Sequence, residues 1–186
     1  MGSPLDDQPT IASGSFSHAE GRGTEARGRA AHSEGTNTEA AGESAHAEGH
    51  GTYAEGNSAH AEGAWTHAAG IAHAEGYDTW ALGHWSHAEG STTQARGDAA
   101  HAEGYFTRAN GAYSHASGLH TIASAEAQTA IGKYNAENAD ALFIVGNGEY
   151  QNPSNAFTVN ANGDVHVAGA LYIGGIKVEP LGTTTF

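Results

Sequence analysis

Histidine and glutamate recur two residues apart along the chain, and this pairing is capable of three kinds of chemistry. Imidazole and carboxylate groups together can ligate zinc, nickel or iron. A His–Glu pair can also transfer protons as a general acid and base. Alternatively, the two groups can join neighbouring chains as hydrogen-bonded ion pairs. The residues are His18, Glu20, His32, Glu34, His46, Glu48, His60, Glu62, His73, Glu75, His87, Glu89, His101, Glu103 and His115.

The regular repetition of these pairs favours a structural role. The same pair occurs in successive repeats, and no insertion between them is long enough to form the pocket that a catalytic site requires. We therefore predict an interface between chains. We also predict that the protein is not an enzyme and has no catalytic residue, metal site or cofactor. Metal ligation, acid–base catalysis and a solvent-exposed ladder that serves solubility are the alternatives.

The pairs belong to a longer glycine repeat. Glycine occurs at every seventh residue from Gly14 to Gly118, with a single step of six residues after Gly70. Two versions of the unit alternate, because residues 17–21 read Ser-His-Ala-Glu-Gly and residues 24–28 read Thr-Glu-Ala-Arg-Gly. The complete repeat is therefore 14 residues long, and it predicts about eight coils.

The small residues of each unit occupy alternate positions, which is the pattern of a β-strand with one buried face. Ser, Thr or Ala is followed two residues later by Ala and then by Gly. We expect all three to point into a thin coil made of two short strands and two tight turns. A heptad coiled coil does not fit, because no repeat position carries a regular Leu, Ile or Val and each Gly would cost a helix about 1 kcal/mol.

The charge and composition exclude several partners. With 7 Lys and Arg against 21 Asp and Glu, the net charge is -14, and no basic stripe exists to neutralise phosphates. We therefore expect no nucleic-acid partner. No apolar run approaches the roughly 18 residues of a transmembrane span, so we expect no membrane insertion. The absence of Cys excludes disulfides and thiolate metal sites.

Two families share motifs with this chain. The Ser-x-Ala-x-Gly strand in a 14-residue period resembles the head repeat of trimeric autotransporter adhesins of the YadA type. The His-Ala-Glu-Gly motif resembles the repeats of phage structural and tail-fibre proteins more closely than those of the adhesins. In these phage proteins such repeats precede an intramolecular-chaperone, self-cleaving domain. The segments that carry this second resemblance are residues 132–135, 141–148 and 154–159. We assign no self-cleaving residue to this chain.

The resemblance implies an all-β, left-handed parallel β-roll solenoid with 14-residue coils, homotrimeric and followed by a small β cap or neck. It also implies a structural fibre or spike segment of a phage tail or related particle, with a role in host-surface adhesion. Other fibre or tail proteins and a cell-surface glycan or protein receptor would be its partners. The virion tail fibre or the cell surface would be its location. The head of a bacterial trimeric surface adhesin and a glycan-processing or self-cleaving fibre enzyme are the alternatives.

One row of side chains is nearly constant, whereas the matching row in the other unit varies. His and Glu fill the constant row, while the other row contains residues such as Glu25, Tyr53 and Trp80. This difference predicts that the His–Glu face packs against other chains and that the other face meets water. A column of Glu side chains about 4.8 Å apart is costly unless each carboxylate meets a donor. We therefore predict His–Glu contacts between chains that raise the pKa of the histidines.

Aromatic residues cluster around the one shortened link, Gly70-Ile71-Ala72. Stacking of the coils would bring Trp65, Tyr77 and Trp80 toward one edge and Trp85 toward the other. Exposed aromatic rings beside polar groups can stack against a sugar ring. These four residues are therefore candidate glycan-binding residues. The alternative is that they cover the outer surface or pack under loops.

The composition divides the chain into three parts. We expect residues 1–9 to be a disordered N-terminus or tag remnant, residues 10–127 to form the β-roll, and residues 128–186 to form a C-terminal β cap or neck. Large apolar residues concentrate in the third part. Short apolar runs separated by Gly and Asn turns there predict strands that protect the end of the solenoid.

Overall fold

The computed structural model describes residues 9–178, and all regular structure there is β-strand. Two sheets run along a solenoid, and each coil contributes one strand to each sheet. Five-residue strands that begin at His form most of the long-strand sheet, and two-residue strands form the short-strand sheet. In this part of the chain no helix is long and apolar enough to cross a membrane.

The strand bounds follow the repeat. The short-strand sheet contains β1 (Ile11–Ala12), β3 (Glu25–Ala26), β5 (Glu39–Ala40), β7 (Tyr53–Ala54), β9 (His67–Ala68), β11 (Trp80–Ala81), β13 (Gln94–Ala95), β15 (Arg108–Ala109) and β17 (Ile122–Ala123). The long-strand sheet contains β2 (His18–Arg22), β4 (His32–Thr36), β6 (His46–His50), β8 (His60–Ala64), β10 (His73–Tyr77), β12 (His87–Ser91), β14 (His101–Tyr105), β16 (His115–Leu119), β18 (Thr129–Lys133), β19 (Ala141–Asn147), β20 (Asn155–Asn160) and β21 (Val165–Val167). A separate hairpin consists of β22 (Tyr172–Ile173) and β23 (Ile176–Lys177).

Neighbouring repeat strands are parallel and in register, so equivalent residues of successive repeats stack on each other. His46 pairs with His60, 14 residues further along the chain. In the coil with the shortened link His60 pairs with His73, and the step is one residue shorter. The predicted all-β parallel solenoid with coils of about 14 residues is confirmed.

The solenoid has about ten coils rather than the eight predicted from the glycine repeat. Strands β18 and β19 lack His-Ala-Glu-Gly but continue the parallel long-strand sheet across residue 128. Gly118, Gly132 and Gly146 remain aligned, and the buried Ile144 pairs with Ala130. Backbone pairing therefore extends the solenoid beyond the point where the side-chain pattern changes.

Small side chains fill the interior, as the alternation predicts. Both sheets contribute a column of buried Ala, and a column of buried Thr precedes the short strands. The central members are Ala61, Ala74, Ala88, Ala102, Ala68, Ala81, Ala95, Ala109, Thr66, Thr79, Thr93 and Thr107. All of these are at most 1% exposed, which leaves no room in the thin coil for larger side chains.

The two glycines of each coil have different roles, which corrects one prediction. Gly97, from the second unit, is buried inside the coil. Gly90, from His-Ala-Glu-Gly, is exposed rather than interior and has a φ of 103°. A Cβ there would lie 2.3 Å from the carbonyl oxygen of Gly104 in the next coil. Glycine is needed at this position for its left-handed backbone and for close stacking of the coils.

The pairing changes after the parallel coils. Strands β19, β20 and β21 pair antiparallel at the end of the long-strand sheet. The buried side chain of Gln128 bonds to backbone groups before and after β18, the last five-residue strand of the parallel coils. Residues 1–8 of the predicted disordered N-terminus and residues 179–186 of the predicted C-terminal cap lie outside the described residues.

Candidate functional site

The histidines of the long-strand sheet form a continuous stack of rings. Six consecutive pairs from His32 to His115 have ring centroids 4.7–5.0 Å apart and interplanar angles of 5–19°. The first pair differs, because His18 meets His32 edge-on at 5.1 Å and 63°. Parallel in-register pairing produces this stack directly, since equivalent side chains of neighbouring strands point the same way.

The same chain supplies the carboxylate neighbours of most of these histidines. His46 Nε2 lies 3.4 Å from Glu48 Oε2 on its own strand. At the other end of the stack, His115 Nε2 lies 3.4 Å from Glu103 Oε1 on the preceding strand. The pairs within one strand are His18–Glu20, His32–Glu34, His46–Glu48, His60–Glu62 and His73–Glu75, and the pairs between strands are His101–Glu89 and His115–Glu103.

Most of these close approaches are not hydrogen bonds. The Nε2 atoms of seven histidines are almost inaccessible to solvent and have no hydrogen-bond partner within the described part of the chain. The seven are His32, His46, His60, His73, His87, His101 and His115. Buried polar atoms without partners are uncommon in stable proteins, so this face has unused hydrogen-bonding capacity.

Within the single chain, burial lowers the pKa of His87. Desolvation is the largest cause, and the neighbouring ring of His101 acts in the same direction. Glu75 and Glu103 oppose the shift but do not overcome it. The loss of hydration therefore outweighs the attraction between imidazolium and carboxylate at this position. The predicted rise depends on carboxylates from neighbouring chains, and it stays a prediction.

Adjacent glutamates of the column have opposite pKa shifts. Burial raises the pKa of the Glu89 carboxyl, and hydrogen bonding with Glu103 and Glu75 adds to the rise. A hydrogen bond with Ser117 is the main cause that lowers the pKa of Glu103. Glu89 therefore favours the protonated form at a higher pH than its neighbour, which reduces like-charge repulsion in the column.

We expect acidification to destabilise the fold through His87. Its folded-state pKa lies below the usual 6.5, so the native state favours the neutral ring. This contribution to stability is present above the unfolded-state pKa and is lost as the pH falls through 6.5 toward the folded-state value. The unfolding free energy, measured by urea denaturation at about pH 7.5 and about pH 5.5, should fall less in His87→Phe than in the wild type. Phenylalanine retains a stacked ring that cannot titrate.

The matched control for this measurement is His166→Phe. His166 is exposed on β21 and lies outside the stack, so this variant should keep the full wild-type loss of stability on acidification. An identical loss in His87→Phe and the wild type would contradict the role assigned to His87.

Three clusters in the His–Glu rows have the residue types of a metal site. They consist of His60, Glu62 and His73; of His73, Glu75 and His87; and of Glu89, His101 and Glu103. In each cluster the three ligand atoms lie within 4.8 Å of one another. Zinc would require its ligands at about 2.0–2.2 Å and a fourth ligand for a structural site. The expectation that the chain holds no metal stays a prediction.

Three of the four candidate glycan-binding residues meet in one cleft. Trp65, Tyr77 and Trp80 line a cleft of about 610 Å³ at the edge that follows the long strands. Trp85 lies elsewhere, beside Ile71 near the opposite edge. The four aromatic residues are therefore divided between two edges, and their role in glycan binding stays a prediction.

Sequence reasoning missed the other walls of this cleft. They are Gly51, Tyr53, Thr66, His67 and Asp78. Tyr53, His67 and Trp80 pair with one another at the first position of successive short strands. The sequence contained a signal for these residues, because Tyr53, His67 and Trp80 occupy the same variable position of successive second units. Residues at one repeat position stack on each other in a solenoid.

A second aromatic stack also escaped the sequence analysis. The rings of Phe106 and His120 stack at 4.6 Å and 2°, and those of His120 and Tyr134 at 4.7 Å and 15°. All three residues have positive φ and follow a long strand at 14-residue intervals. Tyr150 meets His120 edge-on. A search for aromatic residues at turn positions 14 residues apart would have identified the stack.

The fold and these surfaces define the class of protein. The chain is an all-β parallel solenoid of about ten coils with repeated His-containing strands. No protein-family model matches the sequence. No curated protein matches it either.

Proposed function

We propose that the chain is a structural fibre or spike segment that assembles as a homotrimer of left-handed coils and takes part in host-surface adhesion. Its place would be a phage tail or related particle, or a cell surface, where it would contact other fibre proteins. The observation that carries this proposal is the His–Glu face of the long-strand sheet, with seven buried Nε2 atoms that have no hydrogen-bond partner among the described residues.

An interface would satisfy these atoms. An unsatisfied buried polar group costs about 1–3 kcal/mol, and these Nε2 atoms are almost inaccessible from outside the chain. The face therefore gains stability when packing against another chain reorients the rings and carboxylates until these atoms are paired. In a single chain the side chains of six of these histidines are still 34–39% exposed, so the face has side-chain surface left for another chain to cover. A second copy offers both kinds of partner, because each repeat presents one ring and one carboxylate.

Register between chains would follow from the same repeat. Successive rings are 4.7–5.0 Å apart, which matches the spacing of the glutamates that would face them. His and Glu form separate columns along the solenoid, so sliding one chain by half a coil would leave each ring between two carboxylates instead of opposite one. A His–Glu face would therefore favour registers between chains that differ by whole coils.

A uniform solenoid suits a spacer. About ten coils at about 4.8 Å each give a length of about 48 Å, with both backbone edges held by hydrogen bonds from coil to coil. The same His–Glu pair recurs along this length, which favours a repeated structural contact over one reaction centre. The proposal therefore assigns no catalytic activity to the chain.

The first test is the absolute mass of the full chain in solution by light scattering, with 19.0 kDa as the mass of one chain. We expect a mass of three chains. The double variant Glu75→Arg/Glu89→Arg removes two carboxylates from the long-strand face, places two guanidinium groups side by side there, and should shift the mass toward one chain. The matched control is Gln94→Arg/Asn110→Arg, which adds the same side chains to the short-strand side of the same part of the solenoid and should remain trimeric.

Two results would contradict the proposal. A monomeric wild type would leave the His–Glu face without the partner that explains it. If both double variants dissociated to the same extent, the interface would not lie on the His–Glu face. Circular dichroism of both variants would establish that loss of mass reflects dissociation of folded chains.

A further inference from the structure

The cleft around Trp65 lies on a different surface from the His–Glu face. Tyr53, His67 and Trp80 are on the short-strand sheet, and Trp65 and Tyr77 belong to the edge that follows the long strands. A trimer that packs through the long-strand sheet would therefore leave the short-strand side of the cleft facing outward. The cleft remains available to a ligand in the proposed assembly.

The aromatic walls are held in place by the coil geometry. Trp65 has a φ of 61° and lies one coil after Gly51, which has a φ of 65°. A Cβ on Gly51 would be 2.6 Å from Cε3 of the Trp65 indole, so the ring lies directly against this glycine. His50 contacts the same indole edge-on at 4.9 Å. Glycine at 51 therefore provides the space that the Trp65 ring occupies.

Trp80 is positioned by two further contacts. Its Nε1 donates a hydrogen bond of 3.0 Å to Asp78 Oδ1, and its ring meets that of His67 at 5.3 Å. His67 Nε2 lies 3.3 Å from Glu55 Oε2, which anchors the imidazole. These contacts fix the Trp80 ring before any ligand arrives, which reduces the entropy lost on binding.

The cleft combines exposed aromatic surface with polar groups. Trp65, Tyr77 and Trp80 remain 51%, 56% and 39% exposed, which is unusual for large aromatic residues in one cluster. Asp78 Oδ1 is occupied by Trp80, while Oδ2 accepts no hydrogen bond from another described residue. This oxygen can accept a hydrogen bond from a ligand hydroxyl. The Tyr53 phenol has a pKa raised by burial, so it keeps its proton as a donor.

We propose that this cleft binds an uncharged pyranose. A pyranose presents an apolar C–H face to an aromatic ring and hydroxyl groups to carboxylate and phenol partners, and the cleft supplies both kinds of surface. Acidic sugars are excluded by charge, because Asp78 and Glu55 border the cleft and the chain has a net charge of -14. The proposal specifies the adhesion part of the proposed function and is independent of the trimer.

The position of the cleft beside the 13-residue coil is consistent with a specialised site. His67 pairs with Trp80 across that shortened coil. In the other coils that have a glycine equivalent to Gly70, the second residue after it has positive φ, as Ser58 does, whereas neither Ile71 nor Ala72 does. One local change in the repeat thus accompanies the concentration of all three Trp residues of the chain.

The test uses the full chain and tryptophan fluorescence. The probes are the methyl pyranosides of glucose, galactose, mannose and N-acetylglucosamine, with 3′-sialyllactose as the acidic probe and choline chloride as the cationic probe. We expect saturable quenching by at least one neutral pyranoside and none by the other two probes. Trp65→Ala should weaken that binding by about tenfold or more.

Matched variants separate the cleft from the rest of the surface. Tyr77→Ala, at a second exposed wall, and Asp78→Asn, which removes the charge, should each weaken binding. Trp85→Ala removes an exposed Trp from the opposite edge and should leave binding unchanged. Circular dichroism and the solution mass of each variant would establish that the fold and the assembly are intact.

Three results would overturn the proposal: no binding of any neutral pyranoside at tens of millimolar, preference for the sialylated probe, or quenching by choline alone. Binding that Trp65→Ala and Tyr77→Ala leave unchanged would also overturn it. The trimer is measured by mass and the cleft by fluorescence, so either idea can fail without the other.

Discussion

Replacing Gly97 by Ala is expected to destabilise the solenoid by about 3 kcal/mol or more. Gly97 is buried, and a Cβ there would lie 2.0 Å from the carbonyl oxygen of Gly111 and 2.3 Å from its carbonyl carbon. Both atoms are backbone and belong to the next coil. They can move away only if the coils separate, which would break hydrogen bonds such as Gly97 N–H to Ala109 O.

Thermal and urea unfolding followed by circular dichroism would measure this effect. The matched control is Gly169→Ala, because no atom lies within 4 Å of a Cβ at Gly169 and its backbone is not left-handed. This control should remain within about 0.5 kcal/mol of the wild type. Gly104→Ala adds a φ of 107° to a contact of 2.3 Å with Gly118 O, so it should also be strongly destabilising. If Gly97→Ala were as stable as the wild type, direct contact between stacked glycines would not be what sets the distance between coils.

Replacing Gln128 by Leu is expected to destabilise the protein by about 3 kcal/mol and to loosen the last parallel coil. The side chain is fully buried. Its Oε1 accepts a 2.8 Å hydrogen bond from Ser124 N–H, and its Nε2 donates to Asn138 O at 2.8 Å and to Ala141 O at 2.6 Å. Leucine has a similar size but would leave these backbone groups without partners.

Hydrogen exchange would locate the damage. Amides of β19 should exchange faster in Gln128→Leu, whereas those of β10, several coils away, should be little affected. Gln94→Leu is the matched control, because Gln94 Oε1 is buried without a partner and its loss leaves no backbone group unsatisfied. That control should keep wild-type stability. Equal destabilisation by both variants would show that the Gln128 hydrogen bonds are not the cause.

The repeat made much of the architecture predictable. A period of two within each unit identified the strands, and the 14-residue spacing of His-Ala-Glu-Gly identified the coil. These inferences succeed because each coil of a solenoid contacts only its neighbours, so one local rule applies along the chain. The same logic predicted that Trp65, Tyr77 and Trp80 would share an edge, and the structure has them in one cleft.

Other features depended on interactions that the pattern does not contain. The exposed position of Gly90 follows from its backbone dihedral, because a positive φ turns the chain before the next link. The lowered pKa of His87 follows from desolvation within the ring stack, which the sequence gives no means to weigh against its carboxylate neighbours. Two additional coils form because β18 and β19 pair through backbone groups that every sequence possesses.

The amino-acid sequence by itself determined the coil length, the small-residue interior and the rows of His and Glu, because these depend on the order of side-chain sizes along a strand. Only the tertiary structure decided which aromatic residues form a cleft, with Asp78 and His67 joining Trp65 while Trp85 lies apart. It also decided that His46 meets Glu48 on its own strand, whereas His115 meets Glu103 on the preceding one. Such choices arise from distances between stacked coils, and distances of a few ångströms are not encoded in the spacing of residue types.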